Sequence, residues 1–170
     1  MNLIGTQPIT TERLVLRKIT MEDTQQLHEV DGIGNTLEEA RSIVQMMVDS
    51  YDDRTFHWAI THQNAVIGRI KINEFSTRDS YADVAYGIGS AYRSKGFMTE
   101  ALQAVIRFLL QDVGVHRMYA QVRASNLPSI KVVQKAGMVL EGSMRQHFME
   151  ADGTYVDVNI YGILQEDFDT

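Results

Sequence analysis

The feature that most constrains this chain is a short basic loop, residues 89–96, that joins an apolar strand to an amphipathic helix. Tyr81–Ile88 reads as the strand, and the loop carries Arg93, Lys95 and Gly96. A loop that opens into a helix presents backbone N–H groups and the positive end of the helix dipole, which together bind phosphate. Glycine lets the backbone approach a bulky anion without a Cβ in the way. The sequence therefore predicts a phosphate site at this loop.

Two common phosphate loops are excluded by the residues present. A P-loop requires Gly-Lys-Ser or Gly-Lys-Thr at the start of the helix, whereas this chain has Ser94, Lys95 and Gly96 in that order. A dinucleotide-binding fingerprint that starts at Gly87 requires a third glycine where Tyr92 stands. The loop is therefore predicted to bind a diphosphate in a different way.

Length and composition indicate one globular domain over residues 1–170. The chain has 170 residues, of which 44% are hydrophobic, so it is long enough to bury a core. Its apolar runs are too short to span a bilayer and its N-terminus lacks a signal-peptide pattern, so we expect a cytoplasmic protein with no membrane partner.

Charge and metal-ligating residues narrow the function further. The net charge of −6 argues against general nucleic-acid binding, so an anionic cofactor requires a local basic patch. The absence of cysteine excludes disulfides, thiolate metal ligands and a cysteine acyl-enzyme. The five histidines show no metal-ligand spacing, and we predict no metal.

Hydrophobic periodicity predicts a mixed α/β sheet covered by helices. Predicted strands lie at residues 13–19, 56–61, 65–74, 81–88 and 117–122 and in a C-terminal hairpin that turns at Asp152 and Gly153. Predicted helices lie at residues 21–30, from the capping box at 36–39 to 51, at 99–112, and from Pro128 to Gly137.

Several short segments occur in a characteristic order and spacing over nearly the whole chain. They are residues 11–17 (Thr-Glu-Arg-Leu-Val-Leu-Arg), 85–88, 93–101, 122–126, Ser129, 135–137, 141–142, Arg145, Asp157, Tyr161 and Leu164. Together they resemble the GCN5-related N-acetyltransferases (GNAT), which move acetyl from acetyl-CoA to an amine. Within that family the chain most resembles the RimJ/RimL branch of ribosomal-protein N-terminal acetyltransferases.

The resemblance implies the GNAT fold and acetyl-CoA as cosubstrate. The fold would be a mixed, mostly antiparallel sheet of about six to seven strands flanked by about four helices, with a catalytic domain roughly over residues 9–168. The pantetheine arm would pair with the backbone of the strand, and the pyrophosphate would lie on the loop. The implied cofactor residues are Tyr86, Gly87, Ile88, Arg93, Ser94, Lys95, Gly96, Phe97, Met98, Thr99, Asn126 and Ser129. Met98 stands where most of the family has Gly or Ala, which a backbone contact tolerates.

Two positions depart from the family's catalytic pattern. Gln121 stands where many members have a glutamate base, and Val133 stands where many have a tyrosine acid. The resemblance to RimJ/RimL makes Ser129 the candidate proton donor for the leaving thiolate, and a backbone N–H near Ile88 the donor to the carbonyl.

The general base stays open between Glu74, Asp83, His147 and a water held by one of them. A protein N-terminus does not require a strong base as acceptor. Its α-amino group has a pKa near ~8, so part of it is already neutral, whereas a lysine side chain has a pKa near ~10.4.

The leading hypothesis is an acetyl-CoA-dependent N-acetyltransferase that acts on a protein N-terminus, of the ribosomal-protein-alanine type. Its acceptor groove would involve Tyr86, His147, Asp157 and Tyr161. One alternative acceptor is a small amine, such as a polyamine, an amino acid or an antibiotic. Another alternative is a catalytically weak acyl-CoA-binding sensor module. A homodimer is compatible with the resemblance.

Overall fold

Eight strands in one sheet form the framework of the fold, in a computed structural model that describes residues 1–168. The strands are β1 (Ile9–Thr10), β2 (Val15–Arg17), β3 (His57–His62), β4 (Ala65–Ser76), β5 (Tyr81–Ile88), β6 (Arg117–Arg123), β7 (Val139–Met149) and β8 (Tyr155–Leu164). The helices are α1 (Thr24–Asp31), α2 (Leu37–Asp49), α3 (Phe97–Arg107) with a π-helical extension (Phe108–Val113), α4 (Leu127–Lys135) and α5 (Gln165–Phe168). Within residues 1–168, no helix is long and apolar enough to cross a membrane.

The strand order across the sheet is β1-β2-β3-β4-β5-β6-β8-β7. Neighbouring strands run antiparallel except β5 and β6, which are parallel because α3 carries the chain back across the sheet between them. The predicted mixed, mostly antiparallel fold is thus confirmed. The two-residue β1 adds an eighth strand, since Ile9 and Thr10 pair with Leu16 and Val15 of β2.

Helices pack on both faces of the sheet because side chains alternate along each strand. On one face, Trp58 and Ile60 of β3 belong to the main core, which also contains the buried side of α3. On the other face, Ala59 packs in a smaller core with Leu27 of α1 and Val44 of α2. Burying one large apolar side chain contributes about 1.5–3 kcal/mol. Because side chains alternate along β3, one face of the strand packs in the core with α3 and the other packs against α1 and α2.

Local sequence signals explain the predicted turns and helix starts. Gln63 and Asn64 have φ of 50° and 67°, which is the two-residue turn that a β-hairpin favours. At α4, the Asn126 side chain accepts a hydrogen bond from the Ser129 N–H at 3.2 Å, with Pro128 in the first turn.

The parallel strands β5 and β6 separate part of the way along their length. Their paired segments are residues 81–83 of β5 and 117–119 of β6. Beyond this point β5 continues to Ile88 and β6 continues to Arg123. The separation opens a wedge in the middle of the sheet and leaves the backbone of β5 facing it without β6 as a partner.

Candidate functional site

A cavity of about 630 Å³ lies where β5, the basic loop and the first turns of α3 and α4 meet. Its lining consists of Tyr86, Gly87, Ile88, Tyr92, Arg93, Ser94, Gly96, Phe97, Met98, Thr99, Asn126, Leu127, Pro128, Ser129, Lys131, Val132 and Lys135. All the predicted cofactor residues except Lys95 are in this set. The structure therefore gathers residues from two parts of the sequence, 86–99 and 126–135, around one space.

Lys95 lies outside the lining with its side chain exposed. Its ammonium is 5.9 Å from the centre of the Tyr92 ring, and its carbonyl accepts a hydrogen bond from Arg13 Nη1 at 3.0 Å. Lys95 thus contributes to the shape of the loop through its backbone.

The basic loop holds two residues in the left-handed region. Ser94 has φ of 61° and Gly96 has φ of 81°. Gly96 is the N-cap of α3 and has no side chain to accept hydrogen bonds from the helix. The first N–H groups of α3 are therefore available to an anion, and the helix dipole favours negative charge there.

The N-terminal segment supports this loop from outside the cavity. The Glu100 carboxylate of α3 accepts hydrogen bonds from Thr11 Oγ1 at 2.6 Å and from the Arg13 N–H at 2.9 Å. Burial acts to raise the pKa of Glu100, but the hydrogen bonds from Thr11 and Arg13 outweigh it and hold the pKa below its ordinary value. Glu100 is thus a charged anchor for the start of α3.

Two further cations line the cavity, and the sequence reasoning missed them. Lys131 and Lys135 lie one turn apart on α4 and join Arg93 in the lining. Their i, i+4 spacing after the cap at Asn126 was the signal that they share a helix face. Both lysines are exposed and line the cavity from α4, whereas Arg93 lines it from the basic loop, so the cavity has cations from two elements.

Tyr86 and Ser129 meet inside the cavity. The Tyr86 hydroxyl lies 2.8 Å from Ser129 Oγ, at hydrogen-bond distance, and 3.3 Å from the Ser129 carbonyl oxygen. Burial raises the pKa of the Tyr86 phenol, and its hydrogen bond with Ser129 acts in the opposite direction. The predicted proton donor therefore has a second hydroxyl as its direct neighbour.

The two carboxylates predicted as candidate bases pair across β4 and β5. Asp83 is only 7% exposed, and Glu74, its cross-strand partner, is exposed. Burial raises the pKa of the Asp83 carboxyl above its ordinary value, against the opposing effect of the Asn73 amide, and the charge of Glu74 raises it further. Within residues 1–168, Asp83 Oδ1 has no hydrogen-bond partner.

Glu74 is instead occupied by two phenols. The Tyr81 hydroxyl donates to Glu74 Oε1, and the Tyr119 hydroxyl donates to Glu74 Oε2 at 3.3 Å. Both Glu74 oxygens therefore accept hydrogen bonds, whereas in the described chain Asp83 has one oxygen without a hydrogen-bond partner, at the point where β5 and β6 separate.

The predicted acceptor residues of the C-terminal hairpin lie apart from the cavity. His147 is exposed on β7 and its ring centroid is 5.0 Å from that of Phe148. Asp157 accepts a hydrogen bond from the Gln146 N–H at 2.8 Å. Tyr161 is 3% exposed and packs in the main core. Among the predicted acceptor residues, the cavity lining formed by the described chain includes Tyr86 alone.

Relatives of known class match most of this chain. The sequence model of the acetyltransferase (GNAT) domain matches residues 13–139. The uncharacterized N-acetyltransferase p20 of Bacillus licheniformis is 28% identical over 176 residues, covering 95% of this chain and 98% of p20. The ribosomal-protein-serine acetyltransferase of Escherichia coli is 29% identical over 102 residues, covering 60% of this chain and 56% of that protein.

Solved structures share the fold. A GNAT-family acetyltransferase from Bacillus anthracis has a TM-score of 0.83 at 23% identity and covers 94% of this chain and 99% of its own. The ribosomal alpha-N-protein acetyltransferase RimL in complex with coenzyme A has a TM-score of 0.82 at 22% identity, covering 93% and 98%. A spermidine N-acetyltransferase SpeG chimera from Vibrio cholerae and hSSAT has a TM-score of 0.82 at 18% identity, covering 94% and 99%.

Proposed function

The chain belongs to the GNAT acetyltransferase family and is an N-acetyltransferase, and we propose that it transfers acetyl from acetyl-CoA directly to a protein N-terminal α-amino group. The single observation that carries this proposal is the wedge between β5 and β6, which opens into a cavity lined by the basic loop. The similarity to a ribosomal-protein-serine acetyltransferase supports the choice of a protein N-terminus as acceptor.

Acetyl-CoA fits the groups that line the cavity. On the side of β5 away from β4, the backbone of residues 86–88 lacks β6 as a partner and offers N–H and C=O groups to the amides of the pantetheine arm, in the manner of an added strand. The pyrophosphate would lie on the N–H groups of the basic loop and the start of α3, beside Arg93. Coenzyme A carries a third phosphate on its ribose, and Lys131 and Lys135 are the cations assigned to it. In support of this cofactor, the structural neighbour RimL binds coenzyme A.

The wedge separates the two proton-transfer groups of the proposed reaction. Successive side chains of β5 point to opposite faces of the sheet, and Tyr86 points toward α4, where it meets Ser129. Ser129 is the proposed donor to the leaving sulfur. Asp83 is the proposed base, acting directly or through a water on the opposite face. An amine that enters from the face of α1 and α2 would then attack a thioester held on the face of α3 and α4.

The acceptor class follows from proton availability. An α-amino group with a pKa of about 8 is partly neutral near pH 7, so a buried aspartate is a sufficient base. A lysine side chain, with a pKa near ~10.4, would require a stronger one. This difference favours a protein N-terminus over a lysine side chain.

The test is calorimetric titration with acetyl-CoA, followed by thiol release with short peptides that begin with Ser or Ala. Matched peptides with acetylated N-termini are the control, and spermidine and free amino acids form a second panel. We expect binding, and thiol release with the free peptides alone. Release with spermidine or amino acids would move the acceptor to small amines, binding without release on any amine would support a sensor, and no binding would refute the cofactor site.

A further inference from the structure

Two hydroxyl groups from distant parts of the chain form a pair beside the point where the thioester would lie. Tyr86 is on β5 and Ser129 is in the first turn of α4, 43 positions later, and both line the cavity. Their oxygens are 2.8 Å apart. Tyr86 also packs against the main core, so its ring is held in place.

We propose that Tyr86 is a positioning residue that acts through Ser129: its hydroxyl donates to Ser129 Oγ, directs the Ser129 proton toward the thioester sulfur, and replaces that proton as it leaves. This inference rests on the proposed function, because it assigns a role within the same reaction. It goes beyond that function by naming the group that supplies the proton.

Either hydroxyl can donate across the 2.8 Å contact, and the relay assigns the donation to Tyr86. The Ser129 carbonyl, 3.3 Å from the phenol oxygen, can only accept, so Tyr86 is the donor in that contact. When Tyr86 donates to Oγ, the Ser129 proton is free to point elsewhere in the cavity. The Ser129 N–H is fixed by Asn126 at 3.2 Å, so the backbone of the serine is held from the other side.

Acidity explains why a serine needs this neighbour. The leaving thiol has a pKa near ~8.5 and a free tyrosine phenol near ~10, and burial raises the pKa of Tyr86 above that ordinary value. A serine hydroxyl is a far weaker acid and would be left as an alkoxide. A concerted transfer through Ser129 makes the phenol the net acid.

The bonds and protons balance in this step. The amine nitrogen forms a bond to the carbonyl carbon, the C–S bond breaks, and its electron pair leaves on sulfur. The Ser129 proton moves to sulfur while the Tyr86 proton moves to Ser129 Oγ, and the tyrosinate regains a proton from water. The proton lost by the amine goes to the base, and the products are an amide and coenzyme A with a free thiol.

The kinetic test compares Tyr86→Phe, Ser129→Ala and the double variant with the wild type. Tyr155→Phe is the matched control, since Tyr155 is 60% exposed on β8 and lies outside the cavity lining in the described chain. We expect Tyr86→Phe to lower kcat by about 10–100-fold, with the KM for acetyl-CoA within about twofold of the wild type. The double variant should be no slower than Ser129→Ala, because the tyrosine acts through the serine. An unchanged kcat in Tyr86→Phe, or losses that multiply in the double variant, would overturn the proposal.

A second test does not depend on the acceptor. Titration of the thiol of bound coenzyme A, followed by thiolate absorbance, measures hydrogen-bond donation to sulfur. We expect the thiol pKa to be lower in the wild type than in Tyr86→Phe, and equal values would refute the relay. A wild type that binds coenzyme A but acetylates no amine, while still showing this difference, would refute the proposed function and leave the hydroxyl pair intact.

A fluorinated tyrosine at position 86 separates the relay from simple packing. Its phenol is more acidic and its size is nearly that of tyrosine, so the alkaline limb of the kcat profile should move to lower pH. Thermal unfolding of each variant verifies that it folds. A profile that stays in place, in a folded and active protein, would assign Tyr86 to packing alone.

Discussion

Arg13 and Glu100 connect the N-terminal segment to the start of α3 across 87 positions of sequence. Arg13 Nε donates to Glu100 Oε2 at 2.7 Å, and Arg13 Nη1 donates to the Lys95 carbonyl at 3.0 Å. The same guanidinium lies 4.6 Å above the centre of the Phe97 ring. One side chain therefore fixes the basic loop and the first turn of α3 relative to each other.

Removing the Arg13 charge should weaken acetyl-CoA binding without a contact to the ligand. Arg13→Met keeps an apolar chain over Phe97 but deletes the hydrogen bonds that the guanidinium donates to Glu100 and to the Lys95 carbonyl. The loss of these hydrogen bonds should cost about 1–2 kcal/mol of binding free energy, so the Kd for acetyl-CoA should rise roughly 5–30-fold. Calorimetry measures this, with Arg41→Met on the exposed side of α2 as the control. Equal affinities for the two variants would contradict the supporting role.

The lysine pair on α4 should recognise one phosphate selectively. If Lys131 and Lys135 bind the ribose phosphate, replacing both with Gln should lower the affinity for coenzyme A by about tenfold or more, the value of one or two charged hydrogen bonds. Affinity for dephospho-coenzyme A, which lacks that phosphate, should stay constant. Titrating both ligands into the wild type, the double variant and the exposed control Lys18→Gln measures the difference. If the affinities for both ligands fell equally, the two lysines would contact a part of the cofactor other than the ribose phosphate.

Asp83 should control the acidic limb of the pH profile. A base must be ionised, so activity should fall as the pH drops through the raised pKa of Asp83, above the ordinary value of about 3.9. Asp83→Asn should lower kcat by about a hundredfold and remove this limb. Measuring kcat of Asp83→Asn and Glu74→Gln from acidic to neutral pH tests which of the two carboxylates is the base. A larger loss in Glu74→Gln would make Glu74 the base.

Because Asp83 is buried, its ionised carboxylate destabilises the folded protein at neutral pH. Because its pKa is higher in the folded state than in the unfolded chain, the wild type should lose stability as the pH rises through that interval. At pH 7, Asp83→Asn should therefore unfold at a higher temperature than the wild type, although its kcat is lower. Calorimetric melting of both proteins at pH 4 and pH 7 measures this, and a melting temperature of Asp83→Asn below that of the wild type at pH 7 would contradict it.

The buried carboxylate of Asp23 should act in the opposite way. Arg17 binds both of its oxygens at 2.8 Å, and the Thr20 N–H donates at 2.8 Å. Burial acts to raise the pKa of Asp23, but these hydrogen bonds outweigh it, so the stabilisation is present at neutral pH and is lost as the pH falls through the lowered pKa.

Asp23→Asn should therefore cost about 2–3 kcal/mol at neutral pH, since Arg17 is partly exposed. Urea unfolding measures the difference, with Asp112→Asn at an exposed position as the control. The difference in free energy of unfolding between Asp23→Asn and the wild type should become smaller in acid. A difference that does not change with pH would indicate that the loss comes from packing.

Features that depend on neighbours in sequence were predictable from the sequence alone. The basic loop, its glycine and the start of α3 form one continuous segment, so this loop and helix start were predictable from residues 93–99. The cap at Asn126 and the turn at Gln63 and Asn64 are also local, because each acts through its own backbone within a few residues. Together with strand alternation, these signals determined the fold class and one wall of the cavity.

Tertiary packing alone decided which of these residues meet. No local rule brings Tyr86 to Ser129 or Arg13 to Glu100, because each contact depends on how a helix lies on a strand distant in sequence. The resemblance that placed Tyr161 with the acceptor residues did not reveal that Tyr161 is buried in the main core. Burial and hydrogen-bond partners set proton affinity and side-chain orientation, and both arise only when separate elements pack together.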